Sequence, residues 1–153
     1  MSELPSLAGR SVFITGANGF VGRKLAERGR GLGAEVMGLD TVAEVERGVV
    51  AGDICDPAAW QGLLDGCDVL IHTAAVMTNN VNPAVAWGVN VVGTRRVIEA
   101  AADAGVGRFV HLSTMGVGRF AQIQTEAVER FHPAAPLDDH WPLMPTGNPY
   151  TDP

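Results

Sequence analysis

The sequence predicts an α/β domain built on a doubly wound parallel sheet. Short, uninterrupted apolar segments alternate with helical segments from Arg10 to Thr114. Such runs are typical of strands that are buried on both faces of a sheet, and alternation at this spacing favours parallel strands joined by right-handed crossovers. A glycine-rich turn between the first strand and the first helix favours the same class.

Each predicted strand is short and mainly apolar. The five strands are Ser11–Thr15 and residues 34–39, 49–50, 68–73 and 108–113. The three helices expected between them cover residues 20–32, 57–64 and 83–104. Asp56 is expected to cap the second helix, since Pro57 suits its first turn.

The composition indicates an acidic globular chain. Its 153 residues are 46% hydrophobic and 18% charged, which is enough apolar content for a core, and the formal net charge is −6. An acidic chain is a poor general binder of nucleic acid or anionic membrane. No transmembrane helix or signal peptide is expected. Cys55 and Cys67 lack metal-like spacing, so we expect no metal site and a reduced, cytoplasmic protein.

The chain changes character near Arg119. Of 19 glycines, 18 precede residue 120, whereas six of nine prolines follow residue 130. We therefore expect a core domain over residues 1–118 and a proline-rich segment over residues 119–153, of which 121–131 could form one helix. That segment is either a loop that wraps the domain surface or a lid at the carboxyl edge of the sheet.

The glycine-rich turn predicts a phosphate site. It runs Thr-Gly-Ala-Asn-Gly-Phe-Val-Gly from Thr15 to Gly22, directly between a strand and a helix. Gly16 allows a tight turn, Gly19 lets a pyrophosphate approach the backbone, and Gly22 lets helix and strand pack closely. The N–H groups and partial positive charge of the helix N-terminus then suit the phosphates.

Two carboxylates follow the second and third strands. Asp40 lies 24 residues after Gly16, where it can accept both hydroxyls of an adenosine ribose and would repel a 2′-phosphate. The nearest following arginine is Arg47, so the pattern favours NAD over NADP. Alternatively, Asp40 only caps a turn. Asp53 could accept a hydrogen bond from the adenine amino group, or it could simply be solvated.

Three polar residues fall on predicted buried elements. Asn90 has valine neighbours within a helix, and we expect its amide to brace backbone near the site, because an unpaired buried amide costs about 1–3 kcal/mol. The alternative is an asparagine on the helix surface. His72 and His111 are predicted to be hydrogen-bonded core residues rather than catalysts.

Six short motifs, in order and at family-like spacings, resemble the extended short-chain dehydrogenases/reductases, the NAD-dependent epimerase/dehydratase group. They are the glycine turn, Gly52-Asp-Ile-Cys-Asp56, His72-Thr-Ala-Ala75, Asn90-Val-Val-Gly-Thr94, His111-Leu-Ser-Thr114 and Asn148-Pro-Tyr150. The resemblance covers nearly the whole chain from Arg10 to Tyr150.

The resemblance implies a Rossmann-like sheet with strand order 3-2-1-4-5 for the part present. It also implies a substrate domain beyond this chain, and a homodimer built from the helix at residues 83–104 and a helix that starts near Tyr150. The substrate would be a small molecule, either a sugar nucleotide or another secondary alcohol. With the glycine turn and the two carboxylates, the implied NAD-binding set comprises Gly16, Asn18, Gly19, Phe20, Val21, Gly22, Asp40, Asp53, Ile54, Thr73, Ala74, Ala75, Asn90 and Tyr150.

Thr114 and Tyr150 are the candidate catalytic residues. Thr114 falls at the carboxyl end of the fifth strand, where its hydroxyl could polarise a substrate oxygen. Tyr150 is the only tyrosine and could take an alcohol proton while hydride leaves to nicotinamide. A free phenol has a pKa of about 10, which the family lowers with NAD's positive ring and a lysine four residues on. That position would be 154, one beyond Pro153, and the sole lysine is Lys24. We therefore expect an N-terminal portion that is inactive alone.

The residues after Thr114 narrow the reaction. The family's sugar dehydratases carry Asp-Glu after the catalytic threonine, whereas this chain has Met115 and Gly116. Dehydration by that route is disfavoured, so alcohol/ketone redox chemistry or epimerisation remains. The alternative is a non-catalytic NAD(P)-binding sensor or regulator with the same fold. A methyltransferase that uses S-adenosylmethionine would also suit Asp40, but it gives the Asn90 and Tyr150 motifs no role.

Overall fold

The computed structural model describes residues 6–77 and 81–114. The expectations for the segment 119–153, including the domain boundary before it and Tyr150 within it, fall outside the described residues.

The five strands lie in one sheet, and every pairing is parallel. Their bounds are Ser11–Thr15 (β1), Glu35–Asp40 (β2), Val49–Ala51 (β3), Val69–His72 (β4) and Arg108–His111 (β5). The spatial order is β3-β2-β1-β4-β5, which confirms the predicted strand order. The register pairs Thr15 with Leu39 on one side and with His72 on the other, so the turns after these strands emerge at one edge.

Helices cover both faces of the sheet, as the doubly wound prediction requires. Helix α1 spans Phe20–Gly31, and a longer helical stretch comprises α2 (Pro83–Trp87), a π-helical turn (Gly88–Gly93) and α3 (Thr94–Asp103). Alternate residues of β1 point to opposite faces. Val12 and Ile14 therefore pack in one core cluster with Ala26 of α1, whereas Phe13 packs in the other with Val97 of α3.

The prediction of one helix at residues 57–64 is wrong. Two short 3-10 turns, Pro57–Ala59 and Gln61–Leu64, take its place, and the Asp56 side chain makes no capping hydrogen bond. Trp60 separates the turns with a φ of −139° and a ψ of −12°, which are not helical. Its indole is buried, stacks on Phe13, and donates a hydrogen bond to the Asp53 carbonyl at 2.8 Å. Tertiary packing of this one side chain thus overrides the local helical pattern.

β5 also departs from the expectation that every strand is buried on both faces. Arg108, Val110 and His111 are exposed. β5 is one of the two edge strands of the described sheet and has β4 on one side alone, which leaves it more exposed than the central strands. The prediction that His111 is a core histidine is therefore wrong.

His72, by contrast, is fully buried and joins three elements. Its Nδ1 lies 2.6 Å from Thr15 Oγ1 on β1, and its Nε2 lies 2.9 Å from Thr94 Oγ1 at the start of α3. Burial, together with the charge of the nearby His111, lowers the pKa of His72 from 6.5 to about 4. The imidazole is therefore neutral at pH 7, and the prediction of a hydrogen-bonded core histidine is confirmed.

No helix among the described residues is long and apolar enough to span a membrane. Within the same residues, no group of three His, Cys, Asp or Glu side chains is placed to hold a metal ion.

The low pKa of His72 predicts a pH-dependent stability. The unfolded imidazole takes up a proton near pH 6.5, whereas the folded one resists it to about pH 4. Stability is therefore full above pH 6.5 and falls as the pH drops, by at most about 1.4 kcal/mol per pH unit from this group. Urea unfolding between pH 7.5 and 4.5 should show a shallower pH slope for His72→Gln than for the wild type. His111→Gln should keep most of the slope, because burial is the larger cause. Equal slopes for His72→Gln and the wild type would contradict this account.

Candidate functional site

A cleft of about 480 Å³ opens at the carboxyl edge of the sheet. Its size suits a small-molecule ligand. The residues that line it come from the ends of β1 to β4, from the turns that follow them, and from the π-helical turn. They are Gly16, Asn18, Gly19, Leu39, Asp40, Thr41, Gly52, Asp53, Ile54, Thr73, Ala74, Ala75, Val76, Met77 and Val89.

The glycine turn forms one wall of this cleft. Gly16 has a φ of +72°, which L side chains rarely adopt, and its N–H donates to the Leu39 carbonyl at 2.8 Å. Helix α1 begins just after Gly19 and carries no acidic residue in its first turn. Since the first N–H groups of a helix have no partner within it, this end of α1 offers donors and positive potential to an anion.

Space is the second constraint on this turn. A Cβ at Gly16 would lie 2.7 Å from the Ala74 backbone nitrogen, and a Cβ at Gly22 would lie 2.2 Å from the Gly16 carbonyl oxygen. The turn is therefore pressed between the chain that follows β4 and the first turn of α1. The interpretation that Gly16 makes the tight turn and Gly22 the close packing agrees with these distances.

Asp40 is held at the end of β2 by backbone donors. Its Oδ2 accepts from the Asn18 N–H, and its Oδ1 accepts from the Thr41 N–H, both at 2.8 Å. Asp40 thus caps a turn and lines the cleft at the same time, so the two readings of this residue are compatible. A carboxylate has further lone pairs that can accept from a ligand.

Asp53 and Ile54 line the cleft from the segment that follows β3. Asp53 Oδ1 accepts from the Cys55 N–H at 2.8 Å, while its carbonyl receives the Trp60 indole N–H. Ile54 is 6% exposed and belongs to the core. This segment is consequently fixed by both its side chain and its backbone.

The segment after β4 is fixed from two directions. The Thr73 hydroxyl donates to the Thr15 carbonyl at 2.7 Å. Asn90 accepts from the Val76 N–H at 2.8 Å and donates to the Val76 carbonyl at 3.0 Å. The expectation that Asn90 braces backbone is confirmed by these two bonds, although Asn90 itself does not line the cleft. The π-helical turn that carries it interrupts the regular helix predicted at residues 83–104, and π turns are frequent at functional sites.

Nine residues of the predicted NAD-binding set meet in the cleft. They are Gly16, Asn18, Gly19, Asp40, Asp53, Ile54, Thr73, Ala74 and Ala75. Phe20 and Val21 are exposed on the first turn of α1, and Gly22 packs behind the glycine turn. Of the candidate catalytic residues, Thr114 is half-buried three residues after β5 and is not among the lining residues, and Tyr150 lies outside the described residues.

Six lining residues were not predicted. They are Leu39, Thr41, Gly52, Val76, Met77 and Val89. The first five are chain neighbours of predicted site residues at strand ends, so extending each motif by one or two residues would have included them. Val89 directly precedes the predicted Asn90, so the same extension would have included it, although no local sequence signal predicted the π-helical turn on which both lie.

A family model described as the NAD dependent epimerase/dehydratase family matches residues 12–139. Among curated proteins, a 4-hydroxy-2-methyl-3-oxo-4-farnesyl-3,4-dihydroquinoline-1-oxide ketoreductase of Stigmatella aurantiaca is 34% identical over 67% of this chain and 33% of its own. Sterol demethylase protein B of Methylococcus capsulatus is 34% identical over 88% of this chain and 40% of its own. The chain thus spans a third to two fifths of the length of these relatives.

Two solved structures share the fold. A short-chain dehydrogenase/reductase superfamily protein from Agrobacterium tumefaciens with bound NAD is 30% identical, with a TM-score of 0.76 over 93% of this chain and 41% of that chain. The enzyme WbmH of Bordetella bronchiseptica in complex with NAD+ is 29% identical, with a TM-score of 0.75 over 93% of this chain and 48% of that chain.

The close packing at Gly22 predicts an asymmetric response to added methyl groups on α1. Gly22→Ala forces a Cβ against the Gly16 carbonyl, so it should lower the free energy of unfolding by about 1–3 kcal/mol, as overpacking does. Gly31→Ala is the matched control, because open space surrounds its Cβ position and alanine favours helix by up to about 1 kcal/mol. Urea unfolding midpoints measure both. Equal midpoints for the two variants would show that the structure accommodates a Cβ at position 22 without overpacking.

Proposed function

The chain belongs to the NAD dependent epimerase/dehydratase family, and we propose that its cleft binds NAD for hydride transfer at a substrate alcohol or ketone. The observation that carries the proposal is the meeting, in one cleft, of a glycine turn at a helix N-terminus with two carboxylates. The glycine turn at the helix N-terminus suits a pyrophosphate, and the two carboxylates suit the hydroxyl and amino donors of adenosine.

The residues present fit such a dinucleotide. A side chain at Gly16 has no room, and among the described residues the only atom within 4 Å of a Cβ at Gly19, apart from its chain neighbours, is the Gly16 carbonyl oxygen at 3.1 Å. The bare backbone is therefore presented at the phosphate end of the cleft. Asp40 would hold the adenosine ribose, and Asp53 with Ile54 would flank the adenine. Thr73, Ala74 and Ala75 would lie along the cofactor, on the segment that Asn90 holds through Val76. Phe20, Val21 and Gly22 belong to the N-terminal turn of α1, which would face the phosphates of the bound dinucleotide.

Thr114 and Tyr150 would carry the chemistry on the substrate. When bound, the nicotinamide ring supplies the hydride acceptor or donor. The Thr114 hydroxyl, beyond the carboxyl end of β5, would hydrogen-bond the substrate oxygen. The Tyr150 phenolate would take the alcohol proton during oxidation and return it during reduction. The relative described as a ketoreductase supports such redox chemistry over a non-catalytic sensor. Epimerisation would use the same two residues, with oxidation and reduction at one carbon.

The proposed NAD-dependent activity extends to a substrate class, an oligomeric state and a cellular location. The substrate would be a sugar nucleotide or another secondary alcohol. Exposed apolar side chains at Val85, Trp87 and Ile98 support a homodimer through the helical stretch that begins at Pro83. Free thiols at Cys55 and Cys67 support a reducing, cytoplasmic location. The proline-rich segment after residue 118 would form the substrate-side wall.

The position of Asp40 predicts a preference for NAD over NADP. Calorimetric titration of the chain should give tighter binding of NAD, because a 2′-phosphate would meet the Asp40 carboxylate. Asp40→Ala should weaken NAD binding and narrow the gap between the two nucleotides. Tighter NADP binding by the wild type would refute the assignment of Asp40.

The same titration locates the site. Gly19→Val places a side chain where the phosphates must approach, so it should bind neither nucleotide while its circular dichroism spectrum stays that of the wild type. Gly31→Val, in open space at the far end of α1, serves as the control and should bind NAD normally. Normal NAD binding by Gly19→Val would place the site elsewhere.

Tyr150 predicts a large effect on turnover and a small effect on cofactor binding. Tyr150→Phe removes the proton acceptor and should lower kcat by about 10²–10⁴-fold, the range of general acid–base catalysis. The dissociation constant of NAD should change little. Thr114→Val should lower kcat in the same direction, since it removes the hydrogen bond to the substrate oxygen. Unaltered kcat in Tyr150→Phe would overturn its role.

A further inference from the structure

Glu44, which does not line the cleft, forms ion pairs with Arg23 and Arg47 near the end of the cleft where Asp40 lies. Glu44 lies in the loop that follows β2, four residues after Asp40. Its backbone is fixed, because its N–H donates to the Val49 carbonyl at 2.9 Å and its carbonyl accepts from the Val49 N–H at 3.1 Å. The backbone from which the side chain extends is therefore held by β3.

The Glu44 carboxylate contacts two guanidinium groups through one oxygen. Oε2 accepts a hydrogen bond from Arg47 Nη1 at 2.8 Å and lies 3.7 Å from Arg23 Nη2. Arg47 comes from the same loop, whereas Arg23 comes from the first turn of α1. Glu44 thus ties the loop after β2 to the helix that presents the phosphate turn.

This cluster lies directly behind the residue that holds Asp40. Arg23 Nε donates to the Asn18 carbonyl at 2.8 Å, and the Asn18 N–H donates to Asp40 Oδ2 at 2.8 Å. The Asn18 side chain also donates to the Val42 carbonyl at 2.7 Å, which joins the same loop to the turn. A single residue, Asn18, thus accepts from the Arg23 guanidinium and donates to the Asp40 carboxylate.

We propose that Glu44 is a second determinant of nucleotide specificity, which acts by withholding Arg23 and Arg47 from a 2′-phosphate. The proposal rests on the proposed binding of NAD at Asp40. Among Asp40, Glu44, Arg23 and Arg47, two negative charges balance two positive charges, so each guanidinium is neutralised within this group. Without Glu44 these four positions carry one net positive charge, and Arg23 becomes able to turn toward the 2′ position.

The test compares NAD and NADP binding by calorimetry at low salt in the wild type and three variants. Glu44→Gln keeps the size of the side chain and removes its charge, so it should lower the NAD:NADP affinity ratio by about fourfold, the effect of one charge on a phosphate dianion roughly 10 Å away in water. Glu46→Gln makes the same charge change two residues along. Glu46 is exposed, and no ion pair to it is found within the described part of the chain, so no arginine is released and the ratio should change clearly less than in Glu44→Gln.

Arg23→Gln in the Glu44→Gln background separates an electrostatic role from a structural one. The gain in NADP affinity should largely disappear, because the released guanidinium is its source. The gain in Glu44→Gln should also shrink at high salt, which screens exposed charges. If Glu44→Gln instead loosened the loop after β2, the affinities for both NAD and NADP would fall, and this change would depend little on salt concentration.

The outcomes distinguish this inference from the proposal it rests on. If the wild type binds NAD and Glu44→Gln leaves the ratio unchanged, or changes it no more than Glu46→Gln does, the role of Glu44 is overturned and the NAD site stands. If the wild type binds neither nucleotide, both are overturned.

Discussion

The absence of a side chain at Gly16 and Gly22 is the constraint on which the site depends. A Cβ at either position would come within 3 Å of backbone atoms, from Ala74 at the first and from Gly16 itself at the second. Because Gly22 has no side chain, α1 can begin directly after the turn that ends β1. Because Gly16 has none, the chain after β4 can pack against the same turn. The helix N-terminus and the segment 73–77 consequently face one cleft. Every further contact that we assign to the cofactor requires this approach.

Polar contacts then fix what the close packing brings together. His72 joins β1, β4 and α3 through two threonine hydroxyls in a buried position, where an unpaired imidazole would be costly. Asn90 holds the backbone of Val76 from the π-helical turn, and Asn18 holds Asp40 and the loop after β2. The walls of the cleft are therefore set before any ligand arrives. A rigid, preformed site limits the ordering cost of binding.

The features that sequence predicts well are those with local causes. The strands follow from apolar runs, and the glycine turn and Asp40 follow from positions at strand ends, so the strand bounds fall within two residues of the structure and nine predicted residues meet in the cleft. The failures have tertiary causes. Trp60 breaks a helix because its indole is held by Phe13 and by the Asp53 carbonyl. His111 is exposed because β5 is an edge strand of the described sheet. Similarly, the pairing of Arg23 with Glu44 joins residues 21 positions apart, which no motif indicates.

The central claim is that NAD lies at the carboxyl edge of the sheet, against the glycine turn. An amide proton–nitrogen correlation spectrum of the chain, recorded during titration with NAD, tests it most directly because it reports every backbone N–H separately. The account predicts saturable shifts that are largest at Gly16, Gly19, Thr41 and Ala75. The amides of Gly66 and Gly107, which precede β4 and β5 at the opposite edge, should not move. Shifts concentrated at that opposite edge, or none at millimolar NAD, would contradict it.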